Sequence, residues 1–130
     1  MSESKQLENT QILLVEDDPF LIDIYTKEFE RFGYQIGVVT RGNEVLDYLK
    51  NHKVSLILLD ILLPGISGWQ ILEEIKKDEN TKDIKIIILS NISSKEDIEK
   101  AFSLGAEKYL VKAHYLPKEV VEESLKLLNK

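Results

Sequence analysis

Val54-Ser55-Leu56-Ile57-Leu58-Leu59-Asp60 is an apolar run that stops abruptly at a carboxylate. A strand with no polar face must be covered on both sides, as in a parallel sheet flanked by helices. Working outward, the pattern recurs. Upstream, Gln11-Ile12-Leu13-Leu14-Val15-Glu16 runs into the acids Glu16, Asp17 and Asp18; downstream, Ile84 to Leu89 ends at Ser90, and Glu107 to Val111 ends at Lys112. Tyr34 to Val39 supplies a further strand. Helical signals fill the gaps. Asp18-Pro19 reads as an N-cap and first helical position, with Phe20, Leu21, Ile24, Phe29 and Phe32 at helical spacing until Gly33. Gly42-Asn43 opens a helix carrying Val45, Leu46 and Leu49 toward the core. The loop Leu63 to Gly68 precedes a helix with Ile71, Leu72 and Ile75 on one face. Ser93 or Ser94 caps a helix buried through Ala101, Phe102 and Leu104, and Pro117 opens a last one with Val120, Val121, Leu125 and Leu128. Five strands alternating with five helices predict a doubly wound α/β fold with a parallel sheet.

Composition narrows the function. The chain has 130 residues, suited to one compact core, and no repeat, low-complexity stretch or linker divides it. With 23 acidic against 17 basic side chains and a formal net charge of -6, it has no general attraction for a phosphate backbone, so direct nucleic-acid binding is not expected. The absence of cysteine removes disulfides, thiolate metal sites and a thiol nucleophile, and suits a reducing cytoplasm. Met1 to Thr10 is polar and predicts a flexible N-terminal segment before a domain spanning 11–130. No stretch approaches the roughly 18 continuous apolar residues of a membrane span.

The chemistry collects at the strand ends. Glu16, Asp17, Asp60, Ser90 and Lys112 each fall at or just past the carboxyl end of a predicted strand, the edge where open parallel sheets bind ligands. Three carboxylates in one cleft repel each other unless a cation sits among them. Oxygen ligands alone favour a hard ion such as Mg2+ over zinc. A divalent ion, an ammonium and a hydroxyl around one aspartate suit a transferring phosphoryl group, with Asp60 as nucleophile, Lys112 as counter-charge and Ser90 as hydrogen-bond donor. Taken singly, these residues have plainer readings: Asp18 as a helix cap, Ser90 as a turn hydroxyl, Lys112 as a solvated lysine, Tyr109 as a strand aromatic. Trp69, His52 and His114 read as structural or surface positions. Order and strand-end placement together favour the functional reading.

These stretches, with Pro64 through Gly68 and Gly105-Ala106-Glu107-Lys108-Tyr109-Leu110-Val111-Lys112, resemble the receiver domain of two-component response regulators over Gln11 to Leu128. The resemblance implies a flavodoxin-like sheet of order 2-1-3-4-5 and phosphorylation of Asp60 by a histidine kinase or phosphotransfer protein. It implies Mg2+ bound by Asp17, Asp60 and the Leu62 carbonyl, with Glu16 acting through water. Ser90 would be the switch hydroxyl, Lys112 the phosphate-pairing lysine and Tyr109 the switch aromatic. The fourth helix, fifth strand and fifth helix, Ser94 to Leu104 and Tyr109 to Leu128, would face a downstream protein target or a second copy in a phosphorylation-dependent homodimer. Such a domain is not a conventional enzyme; it catalyses only its own phosphorylation and dephosphorylation.

A pseudo-receiver that signals without phosphate would have no need of a repulsive carboxylate cluster. An aspartyl-phosphate phosphatase would want a second acid where Leu62 stands, and a nucleotide-binding domain a glycine-rich loop where Glu16-Asp17-Asp18-Pro19 stands. Three departures from the family pattern remain. Ala113 replaces the proline that usually follows the lysine, which favours a trans bond there. Asn91 replaces a small residue after the switch hydroxyl, which predicts narrower access for the phosphodonor. Leu62 and Ile92 occupy two variable cleft positions, and neither side chain can orient an attacking water, so dephosphorylation should be slow. Leu62→Asn is expected to shorten the lifetime of phosphorylated protein, followed by intact mass; an unchanged decay rate would sink that expectation.

Overall fold

The computed structural model describes residues 11–129; the reading of Met1 to Thr10 as a flexible segment lies outside them. Strands β1 (Ile12–Val15), β2 (Gly37–Val39), β3 (Leu56–Leu59), β4 (Lys85–Ser90) and β5 (Lys108–Val111) alternate with helices α1 (Pro19–Arg31), α2 (Val45–Asn51), α3 (Gly68–Lys77), α4 (Lys95–Ser103) and α5 (Pro117–Leu128). All four ladders are parallel and the strand order is β2-β1-β3-β4-β5, as the resemblance implies. The chain steps outward from β1 to β2 and then crosses back to β3, so the order reverses between β1 and β3.

Side-chain alternation divides the interior into two cores. Leu13, Val15, Ile57, Leu59, Ile86 and Ile88 face Val45 of α2, Ile71, Leu72 and Ile75 of α3 and Ala101 of α4. Ile12, Leu14, Leu56, Leu58, Ile87 and Leu89 face Tyr25 and Phe29 of α1 and Val120, Val121 and Leu127 of α5. Each such side chain contributes about 1.5–3 kcal/mol through burial, before the entropy of ordering it is set against that gain.

Local chemistry sets the helix ends. Asp18 Oδ1 accepts from the N–H groups of Phe20 and Leu21 at 2.9 and 3.4 Å, so it caps α1 as predicted. Ser94, rather than Ser93, caps α4, accepting from Asp97 N–H at 3.1 Å. Four of the strands are one to three residues shorter than the runs that predicted them, and β4 keeps its length but is shifted by one residue. Tyr34 N–H still bonds the Phe29 carbonyl at 2.9 Å, which holds the end of α1 together and delays β2 to Gly37. Gly42–Glu44 forms a 3-10 turn, and α2 starts only at Val45. Apolar spacing also overstated two helix faces: Phe20 and Phe102 are 80% and 48% exposed, while Tyr25, absent from the predicted stripe, is buried.

One close approach positions the loop after β3. Gly68 N–H donates to the Ile61 carbonyl at 2.9 Å, and a Cβ there would stand 2.4 Å from the Asp60 carbonyl oxygen and 2.6 Å from Ile61 Cα. Both neighbours are backbone, so neither yields cheaply. Gly68→Ala is expected to cost about 1–3 kcal/mol of stability in denaturant unfolding, and an unaltered midpoint would contradict this packing.

Candidate functional site

Glu16 and Asp17 are the first residues past β1, Asp60 the first past β3 and Lys112 the first past β5, while Ser90 closes β4. Parallel strands therefore deliver all five to one edge, at the reversal between β1 and β3. Carboxylate oxygens of Glu16, Asp17 and Asp60 lie within 4.8 Å of one another. Lys112 Nζ lies 2.6 Å from Glu16 Oε1 and donates to Asp60 Oδ2 at 2.7 Å.

Each group is held from its other side. Asp60 Oδ1 accepts from Leu62 N–H at 3.2 Å, and Glu16 Oε2 from Asp18 N–H at 3.1 Å. Glu16 is 1% exposed, and its Oε1, although close to the ammonium, accepts no directed hydrogen bond. Burial pushes the Glu16 carboxyl above its ordinary pKa against the pull of Lys112. Burial also draws the Lys112 ammonium down, but the Asp60 and Glu16 carboxylates outweigh it and hold the ammonium above its ordinary value. The two shifts agree in sense: the buried carboxylate charge is only partly compensated.

Three carboxylates facing one ammonium leave two negative charges unmatched. That excess and the all-oxygen donor set fit a hard divalent cation. Leu62 belongs to this region through its N–H, while its side chain is 67% exposed. A separate cavity of about 780 Å3 beside α2 and the end of α3, lined by Leu46, Leu49, Lys50, Glu74 and Lys77 among others, contains none of the cluster. Its lining sets Glu74 and Asp78 beside Lys50 and Lys77, whereas the group of three carboxylates able to hold a metal lies at the sheet edge.

The loop after β4 joins the cleft to β5. Ser90 Oγ accepts from Ile92 N–H at 3.3 Å, and the Tyr109 hydroxyl donates to the Ile92 carbonyl. Burial raises the Tyr109 pKa, with the charges of Asp97 and Asp60 adding to it. The Lys112-Ala113 bond is trans, since no cis peptide occurs among the described residues. Asn91 turns sideways: its Oδ1 accepts from Ala113 N–H at 2.9 Å. That pairing was not legible in the sequence, because a carboxamide and an amide 22 positions apart carry no spacing signal. Trp69 lies under the Lys100 ammonium, 4.3 Å from its ring centre, and His52 stacks on Tyr48, so both keep their structural reading.

A five-stranded doubly wound sheet with an acidic cluster and a lysine at its carboxyl edge is the architecture of a flavodoxin-like domain. The chain belongs to the response regulator receiver domain family, whose pattern matches residues 12–123. It is 33% identical to the response regulator SaeR of Staphylococcus aureus over 121 residues, 93% of this chain and 51% of that protein. The chain thus spans about half the length of the curated relatives it matches. Among solved structures it is similar to the phosphorylated cyanobacterial phytochrome response regulator RcpA, with 28% identity, a TM-score of 0.81 and coverage of 92% and 96% of the two chains. A CheY-like receiver domain protein of Methanospirillum hungatei matches at 28% identity and a TM-score of 0.83, covering 92% and 94%. Membership places the chain in two-component phosphorelay signalling. No helix among the described residues is long and apolar enough to cross a membrane.

The carboxylate excess has a direct consequence. Glu16→Gln removes one of three clustered charges, so the metal-free variant is expected to melt higher than the unsubstituted protein and to gain less from added Mg2+. A lower melting temperature without metal, or an undiminished Mg2+ effect, would argue against the repulsion described above.

Proposed function

We propose that this chain is a Mg2+-dependent phosphoacceptor in which Asp60 takes a phosphoryl group from a phosphohistidine of a kinase or phosphotransfer protein. The observation that carries this reading is the Lys112 ammonium lying 2.6–2.7 Å from both Glu16 and Asp60, with Asp17 completing the carboxylate cluster. A carboxylate oxygen of Asp60 attacks phosphorus, the donor P–N bond breaks, and the leaving imidazole keeps the electron pair and takes up a proton. Leu62 N–H and Lys112 fix the Asp60 carboxylate from its two oxygens and so orient it for that attack.

Asp17, Asp60 and the Leu62 carbonyl would hold the metal, with Glu16 acting through water. The ion, when bound, supplies charge neutralisation for the incoming phosphoryl oxygens. Lys112, released from Asp60, would pair with a phosphoryl oxygen, and Ser90 would exchange its bond with Ile92 N–H for one to the phosphoryl group. Because Tyr109 is tied to the Ile92 carbonyl, movement of that loop frees its hydroxyl and biases the ring toward the cleft. The surface of α4, β5 and α5 then differs between two states that a downstream protein, or a second phosphorylated copy, distinguishes. A cytoplasmic setting agrees with a cysteine-free chain.

The direct test is intact mass after incubation with Mg2+ and phosphoramidate, whose P–N bond resembles that of a phosphohistidine. One phosphoryl group should be added to the unsubstituted protein and none to Asp60→Asn or to the chelated protein. An adduct that survives Asp60→Asn would displace the nucleophile, and one that survives chelation would remove the metal from the reaction.

A further inference from the structure

Lys112 is the first residue beyond the last ladder pair of the sheet, Ser90 with Val111. The strand therefore no longer holds the backbone that carries the ammonium. Lys112 opens a 3-10 turn, Lys112–His114, whose own closing bond, Tyr115 N–H to the Lys112 carbonyl, is long at 3.4 Å. The shorter restraint is the 2.9 Å bond from Ala113 N–H to Asn91 Oδ1. Asn91 sits next to Ser90, so a single side chain ties the end of β4 to the residue following the lysine.

We infer that Asn91 is a positioning residue for Lys112, its carboxamide clamping the Lys112–Ala113 backbone so that the ammonium is aimed into the carboxylate cleft. The inference rests on the phosphoacceptor reading above. Lysine has a flexible four-carbon stem, and its reach is reproducible only if its base is fixed. In the metal-free protein Glu16 and Asp60 pin the charged end. Once a cation and a phosphoryl group share those carboxylates, that hold weakens, and the anchored base keeps Nζ within reach of the phosphoryl oxygens. Asn91 and Ala113 thus form one device: the amide hydrogen that alanine provides is the donor that the asparagine accepts.

The test uses the full chain with phosphoramidate as donor and amide hydrogen exchange as a second reading. Asn91→Ala should slow phosphorylation at saturating Mg2+ by roughly two- to tenfold, the range of one lost neutral hydrogen bond. Mg2+ affinity should stay unchanged, which general loosening of the cleft would not allow. The Ala113 amide should exchange slowly in the unsubstituted protein and fast in Asn91→Ala. Asn91→Asp, which keeps an Oδ acceptor, should retain the protection and recover rate relative to Asn91→Ala. An unchanged rate in Asn91→Ala, or equal slowing in the alanine and aspartate variants, would overturn the assignment. A fast-exchanging Ala113 amide in the unsubstituted protein would overturn it alone and leave the phosphoacceptor reading standing. No adduct on the unsubstituted protein would remove both.

Discussion

The central strands are buried on both faces, and the rest of the structure follows from that constraint. Every residue of β1 and β3 is inaccessible, and so is all of β4 after Lys85. A polar side chain inside those strands would lose its hydration with no partner to replace it. Charged groups are therefore confined to the strand ends, as with Lys85 at the start of β4, and parallel strands leave the sheet on the same side. The acidic cluster is thus the first place along each strand where chemistry becomes affordable, and the reversal between β1 and β3 opens the gap into which Asp17 and Asp60 project together.

The cost of that placement is electrostatic. Burial disfavours the charged form of Glu16 and pushes its carboxyl above the ordinary pKa, with the charge of Asp60 adding to it. Lys112 offsets part of the repulsion through its contacts with Glu16 and Asp60. Its ammonium neutralises carboxylate charge at the very edge where the strands end. Gly68 belongs to the same balance, because its close approach to the Asp60 backbone fixes the floor from which that carboxylate rises.

Much of this was legible in the residues. Apolar runs ending in Glu16, Asp60, Ser90 and Lys112 gave both the parallel sheet and the edge at which the cluster lies, because burial on two faces leaves an unmistakable composition. Helix faces were less legible. Phe20 and Phe102 sit at core spacing yet are exposed, since hydrophobicity states what a residue tolerates and neighbouring helices decide what is covered. Strand starts were placed too early at Tyr34 and Val54, where the run begins before the ladder does. The bonds from Leu62 N–H to Asp60 and from Ala113 N–H to Asn91 lay beyond sequence reasoning altogether, because any residue but proline offers a backbone donor.

The loop after β4 ties the cleft to β5 and to the turn beyond it. Ser90, Asn91 and Ile92 are consecutive, and each is tied by a different group: Ser90 Oγ to the Ile92 amide, Asn91 Oδ1 to the Ala113 amide, and the Ile92 carbonyl to the Tyr109 hydroxyl. Two of the three bonds cross to β5 or the turn beyond it. A shift at Ser90 therefore cannot remain local: it must either carry the start of the Lys112–His114 turn with it or break a bond worth about 0.5–1.5 kcal/mol. Bonds of that size suit a switch, since they are large enough to favour one arrangement and small enough for new charge-assisted contacts to a phosphoryl group to outweigh them. The same few atoms thus hold the resting state together and set how much a ligand in the cleft must contribute to leave it.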